Sequence, residues 1–287
     1  MIRWQAWALS LTLMISAMPA LAQQQQALVE RGRYLVNGIA ACGNCHTPKG
    51  PNGDLPGMDL AGGQVLEEPG LFRAVASNIT QDRETGIGAW TDAQIALAIR
   101  EGRRPDGRLI GPPMPIELYR GISDADLAAM VAYLRTVRPV RNAVEASRFE
   151  IPLPPGYGPP VGRVDPPADN PVARGAYLAG PLGHCTECHT PMGPEGRRDW
   201  ARTGAGGPPI NGPWGAAVPP NITPHAEGLA GWSEAQVIRA VTQGISADGR
   251  RLSPPMGFSY YARMRPEDLR DLAAWLRSLP PQPRATP

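Results

Sequence analysis

Between Ser123 and Arg135 the apolar side chains fall at Leu127, Met130, Val131 and Leu134, a three-, four- and seven-residue spacing that puts them on one face of a helix. Ser123 opens this predicted helix with Asp124 and Asp126 in its first turn, where carboxylates meet the positive end of the helix dipole. A later segment opens in the same way, with Pro266 followed by Glu267 and Asp268. Two middle helices are announced by capping boxes, Thr91-Asp-Ala-Gln94 and Ser233-Glu-Ala-Gln236, in which hydroxyl and amide satisfy each other's orphan backbone donors. Each stops at a glycine, Gly102 or Gly244, where a left-handed cap is easily formed. Further helices are expected to begin near Ala27, with Leu28, Arg31, Tyr34 and Leu35, and near Pro171, with Val172, Tyr177 and Leu178. The intervening stretches are rich in Gly and Pro, and none alternates convincingly enough to predict a strand.

The elements recur in one order because the sequence itself recurs. Arg31-Gly-Arg-Tyr34-Leu35 matches Arg174-Gly-Ala-Tyr177-Leu178, Cys42 through Pro48 matches Cys185 through Pro191, and Asn78-Ile-Thr80 matches Asn221-Ile-Thr223, all at an offset of 143. After one dropped residue the offset is 142. It then pairs Trp90 with Trp232, Asp106-Gly-Arg108 with Asp248-Gly-Arg250, Pro112-Pro-Met114 with Pro254-Pro-Met256, and Tyr119 with Tyr261. A repeat of this density implies a duplicated domain. The expected division is residues 23–138 and 172–287, joined by residues 139–171, whose nine prolines predict an extended, fairly stiff connector without a core of its own.

Residues 1–22 differ from both copies. A charged start at Arg3, an apolar run from Ala6 to Met18, a break at Pro19 and the small-residue end Ala20-Leu21-Ala22 read as a secretory signal peptide, which places the mature protein in the periplasm. The apolar run is shorter than the roughly 20 residues a bilayer span needs. Charge is nearly balanced over the whole chain, with 28 Lys plus Arg against 26 Asp plus Glu, and gives no reason to expect nucleic acid. Residues 27–138 carry 12 basic and 13 acidic side chains, and residues 172–287 carry 12 and 9, so neither half identifies a partner by charge.

All four cysteines lie in two copies of one pentapeptide, Cys42-Gly-Asn-Cys45-His46 and Cys185-Thr-Glu-Cys188-His189. Cysteines three apart on a helical turn share a face, so both thiols reach the vinyl groups of one porphyrin while the adjacent imidazole meets the iron. The pattern therefore predicts two covalently bound haem c groups. A four-thiolate zinc site or two dithiol centres would also use paired cysteines, but neither accounts for a His following each pair in a chain with four His.

The remaining axial position is decided by the repeat. Among the methionines beyond the leader, Met114 and Met256 are the paired ones, each after Pro-Pro and 68 or 67 residues beyond His46 or His189. They are the expected sixth ligands, held by a backbone that two prolines restrain. Met130 is expected in the helix core. His184 adjoins Cys185 and does not reach the opposite haem face, and His225 has no counterpart in the first copy, leaving a bis-His second haem as the alternative. Trp90 and Trp232 either bond a haem propionate through the indole or pack in the core. Arg108 and Arg250 are propionate candidates, whereas Arg100, Arg103 and Arg104 read as a solvated helix end.

Taken together, Cys-x-x-Cys-His-Thr-Pro, Ser77-Asn-Ile-Thr-x-Asp82, Gly86-Ile-Gly-x-Trp90-Thr, Pro-Pro-Met114-Pro and the Ser-Asp-x-Asp-Leu helix ending Ala-Tyr-Leu-Arg resemble the cytochrome c subunits of periplasm-facing dehydrogenases. Those subunits serve alcohol and gluconate dehydrogenases and some molybdenum-containing hydroxylases. The resemblance implies an all-α fold of two tandem class I cytochrome c domains, each a few helices and long loops around a His/Met haem. It implies electrons received from a partner dehydrogenase and passed to a cytochrome, a terminal oxidase or a quinone-linked chain. Subunits of this kind commonly carry three haem domains and a C-terminal membrane-binding segment; here two haems are expected, with membrane association only through partners. The second copy also departs from the pattern in lacking the Asp and the Gly-Ile-Gly of the first. The competing function is a dihaem cytochrome c peroxidase-like enzyme, which needs one open iron beside a closed one. Two like copies, both closed by Met, favour electron transfer without substrate chemistry.

Overall fold

The computed structural model describes residues 5–194, 196–212 and 214–285, with side chains from residue 21 onward. Helix α1 (Gln5–Asn37) begins well before Ala27, the expected start, and is continuous through position 19, where a break was expected. Residues 20–26, Ala-Leu-Ala followed by four Gln, are good helix formers without glycine or β-branched side chains, so nothing stops the helix there. Arg3 of the expected leader lies outside the described residues. Among those residues no helix is long and apolar enough to cross a membrane.

The first half continues with the one-turn helix α2 (Cys42–His46), then α3 (Asp92–Glu101), α4 (Ile116–Tyr119) and α5 (Asp124–Leu134). The second half carries their counterparts α6 (Pro171–Tyr177), α7 (Cys185–Cys188), α8 (Glu234–Gln243), α9 (Phe258–Tyr261) and α10 (Pro266–Ser278). Both capping boxes form, and Gly102 and Gly244 close α3 and α8 at φ 67° and 65°. The α5 stripe is buried, Met130 to 1% exposure.

In each half the first helix crosses the last at a glycine. A Cβ on Gly32 would stand 1.8 Å from the carbonyl oxygen of Ala129 in α5, and one on Gly175 would stand 2.0 Å from that of Asp271 in α10. Each crossing is flanked by an arginine: Arg31 grips Asp126 through two bonds of 2.8 and 2.9 Å, and Arg174 grips Asp271 through two of 2.6 and 3.3 Å.

The all-α expectation needs one addition, since short antiparallel strands line the loops. They are β1 (Lys49–Gly50) with β2 (Gly53–Asp54), β3 (Val65–Glu68) with β4 (Phe72–Val75) and β5 (Arg148–Phe149), and β6 (Ile210–Gly212) with β7 (Gly215–Ala217). Segments of two to four residues are too short for an alternating pattern to stand out.

Strand β5 belongs to the connector, which lies against the first half. It wraps the first half: Asn78 donates to Val140 O at 2.8 Å, Tyr157 to Ile110 O at 2.7 Å, and Asp124 N to Val164 O at 2.9 Å. Proline supplies no amide donor, so these bonds fall largely on the connector's carbonyls and its non-proline residues.

The two halves also meet. Leu35, Ile39, Tyr119 and Ile122 of the first half share one continuous buried core with Leu178, Leu182, Tyr261 and Trp275 of the second. Two tyrosines make polar contacts across this joint. The Tyr34 hydroxyl donates to Asp268 and accepts from Arg265 N at 3.2 Å; the Tyr177 hydroxyl donates to Asp126 at 3.0 Å and accepts from Ser123 N at 3.0 Å. Arg174 pairs with Asp271, one turn beyond Asp268 along α10, at the position where the first half has Ala129.

Candidate metal centres

Each Cys-x-x-Cys turn starts from a left-handed residue, Ala41 at φ 45° or His184 at φ 40°, which bends the chain sharply into α2 or α7. Both cysteines of each pair then lie three apart on one helical face. Burial pushes the Cys42 and Cys188 thiols up to about 12 and the Cys45 and Cys185 thiols up to about 11, so all four are neutral at pH 7 before any bond is made.

The histidines are oriented alike. Nδ1 of His46 lies 2.7 Å from Ser77 O, and Nδ1 of His189 lies 2.8 Å from Pro220 O. A carbonyl only accepts, so Nδ1 carries the hydrogen and Nε2 is left with its lone pair for a metal. Burial holds both imidazoles below their ordinary pKa, which favours this neutral form.

What fixes those carbonyls was not assigned from the sequence, although the repeat marked it. Asn78, next to Ser77, accepts from Thr80 N and Oγ1 at 3.0 and 2.7 Å and donates to Val140 O. Asn221, next to Pro220, accepts from Thr223 N and Oγ1 at 2.8 and 2.7 Å and donates to Gln282 O at 2.7 Å. The paired Asn-Ile-Thr segments are therefore buried pegs behind the imidazoles.

Met114 and Met256 are half-buried against the common core, each after a cis Pro-Pro bond and just before α4 or α9. Met130 and Met264 are buried in the core itself, and Met192 is 44% exposed. His184 packs edge-on against Tyr119, ring centroids 6.0 Å apart. His225 stays in its own turn, accepting from Glu227 N at 3.2 Å.

Trp90 and Trp232 sit half-buried at the edge of the core. The arginines are placed differently from expectation. Arg108 is 67% exposed and commits its guanidinium to Asp106 at 3.0 and 2.7 Å, which holds that carboxyl at about 2. Arg250 is exposed and bonds Asp248 through its backbone amide at 3.1 Å. Arg104, read from the sequence as solvated, instead lies over the Trp90 ring at 5.3 Å with Nη1 3.4 Å from the Ser77 hydroxyl; its buried Nε makes no hydrogen bond and stands 3.7 Å from the Asp106 carboxylate. Arg239 of α8 also has a buried Nε that makes no hydrogen bond, and its Nη2 donates at 2.7 Å to Ser246 O, the position equivalent to Arg104.

Paired thiols on one face, an imidazole with a free Nε2, a half-buried thioether and a buried cation with an unused donor fit a covalently attached haem. Comparison with known proteins agrees. A family model described as Cytochrome c matches residues 172–280. The chain is 33% identical to a nicotinate dehydrogenase subunit of Pseudomonas putida, covering 93% of this chain and 22% of that protein. It is 31% identical to the cytochrome c subunit of the quinone alcohol dehydrogenase of Gluconobacter oxydans, covering 97% and 61%. This chain thus spans a minor part of the first relative and about three fifths of the second. A diheme c-type cytochrome of Cereibacter sphaeroides is 32% identical over 83% of this chain and 82% of its own length. The chain belongs to the c-type cytochromes, an electron-transfer family, in the group that holds this diheme protein and the cytochrome c subunits of dehydrogenases.

Proposed function

We propose that the chain is a periplasmic dihaem cytochrome of two tandem class I domains that takes electrons from a partner dehydrogenase and delivers them to a cytochrome, an oxidase or a quinone-linked chain. The observation that carries this reading is the doubled imidazole geometry, His46 on Ser77 O and His189 on Pro220 O, each matched by a Met on a Pro-Pro loop. When bound, each haem supplies a one-electron iron couple. Cys42 with Cys45, and Cys185 with Cys188, hold it by thioether bonds. His46 and His189 present Nε2, and Met114 and Met256 close the far side with a soft sulfur that favours the reduced metal. Relatives named as subunits of alcohol, fructose and gluconate dehydrogenases support the donor class. Both halves carry the same Pro-Pro-Met loop, so the peroxidase alternative gains no observation of its own.

Met114→Ala and Met256→Ala are each expected to lower one of two potentials and to create carbon monoxide binding at one reduced haem. Met264→Ala, in the core, is expected to do neither. Optical titration with carbon monoxide checks this; if Met256→Ala changes nothing while His225→Ala alters the spectrum, the second haem is bis-His.

Arg104 and Arg239, each with a buried Nε that makes no hydrogen bond, are the propionate partners in this reading, in place of Arg108 and Arg250. Removing a cation beside a propionate leaves more negative charge near the iron and favours the oxidised state. Arg104→Gln and Arg239→Gln are therefore expected to lower one potential each by about 40 mV, roughly 1 kcal/mol for one electron. Arg108→Gln should leave both potentials in place, as spectroelectrochemistry reads directly.

A further inference from the structure

Asn44 lies inside the first attachment motif, between Cys42 and Cys45, yet its side chain serves the other half. Its Nδ2 donates to the carbonyl oxygen of Pro255 at 2.8 Å, 211 residues away, and Pro255 directly precedes Met256. The contact continues on both sides of that bond. A Cβ on Gly43 would stand 2.5 Å from the hydroxyl of Tyr260 in α9, and a Cβ on Gly257, the residue after Met256, would lie 3.5 Å from Ala41 Cβ and 3.6 Å from Asn44 Cγ. Met256 is therefore bracketed by two residues that rest on the first half's Cys-x-x-Cys turn. The joint is not matched in reverse. The residue equivalent to Asn44 is Glu187, which forms no hydrogen bond to the carbonyl of Pro113; its close polar neighbour is His184 at 3.6 Å.

We propose that Asn44 is a positioning residue for the second metal centre, holding the Pro254-Pro255-Met256 loop so that the Met256 thioether stays on its iron. This rests on the assignment of Met256 as an axial ligand. The attachment turn of the first haem then sets the ligation strength of the second, and the dependence runs in that direction.

The test uses the full holoprotein. Competition by imidazole for the Met-bound face reads how firmly each methionine is held, and the far-red absorption band of sulfur-ligated oxidised haem reports its loss. Asn44→Asp keeps the shape and removes the donor; Asn44→Gln keeps the donor. Asn44→Asp is expected to raise imidazole affinity about tenfold at one haem, as the loss of one hydrogen bond of ordinary strength would do, with Asn44→Gln recovering part of the difference. That increment should disappear in a Met256→Ala background and persist in a Met114→Ala background, the signature of a coupled pair. Unchanged affinity at both haems, or a response that persists without Met256 and vanishes without Met114, overturns the proposal while leaving the dihaem assignment intact. Intact mass and haem staining of the unsubstituted protein separate the other failure: a chain without two covalent haems removes the reading beneath both.

Discussion

Replacing Cys45 or Cys188 by serine is expected to cost the chain one haem and to weaken the half that keeps its own. Independent copies on a spacer would predict loss confined to one side. The packing says otherwise: Cys42, Cys185, Met114 and Met256 all lie against one core that runs across the joint, and the turn holding Cys45 touches the loop holding Met256. An unfilled haem pocket is a large apolar cavity, and cavity terms reach several kcal/mol where the walls do not collapse. Set against a total stability of about 5–15 kcal/mol for a typical domain, such a loss is felt on both sides of a shared core. Intact mass should show one retained haem, and thermal unfolding followed by circular dichroism should show the whole chain melting earlier. A one-haem variant with the original melting temperature and an unaltered remaining spectrum would establish that the halves are independent.

Gly32→Ala and Gly175→Ala are the substitutions expected to damage folding most for the smallest chemical change. One methyl group at either crossing would overlap a backbone carbonyl, at 1.8 and 2.0 Å, and a carbonyl in a helix cannot swing aside as a side chain can. The helices must separate, and that strips the bidentate Arg31–Asp126 or Arg174–Asp271 pair of its alignment. The expected loss is about 3 kcal/mol or more, at the upper end of overpacking effects, read as a lower denaturant midpoint and poor haem yield. Gly231→Ala, where a Cβ would meet nothing within 4 Å, should stay within about 0.5 kcal/mol of the unsubstituted chain.

The features legible in the sequence were those written in local signals. The capping boxes at Thr91 and Ser233, the Asp-rich start of α5 and the Gly102 and Gly244 stops involve residues a few positions apart, and the structure forms each of them. Helix α1 starts well before Ala27 because helix propensity through residues 20–26 is unbroken. The repeat marks the paired Asn-Ile-Thr segments, but it aligns Arg104 with Ser246 and Arg239 with Leu97, so neither arginine stands out as a repeated position. Equally hidden were Asn44 with Pro255 and Tyr34 with Asp268, partners more than 200 residues apart that no local pattern connects. A proline-rich segment can lie along a surface as well as span a gap, and the composition does not distinguish the two.

The crossed tyrosines at the joint have a further consequence. Tyr34 meets Asp268, and Tyr177, the counterpart of Tyr34, meets Asp126, the counterpart of Asp268. Residue for residue this is the contact rule of an isologous dimer about a twofold axis, here satisfied within one polypeptide. At these two tyrosines one copy's worth of sequence specifies both sides, and the contact is written twice. Damage to one tyrosine leaves its twin in place, while the connector keeps the two surfaces at an effective concentration of about the millimolar level reached by tethered modules.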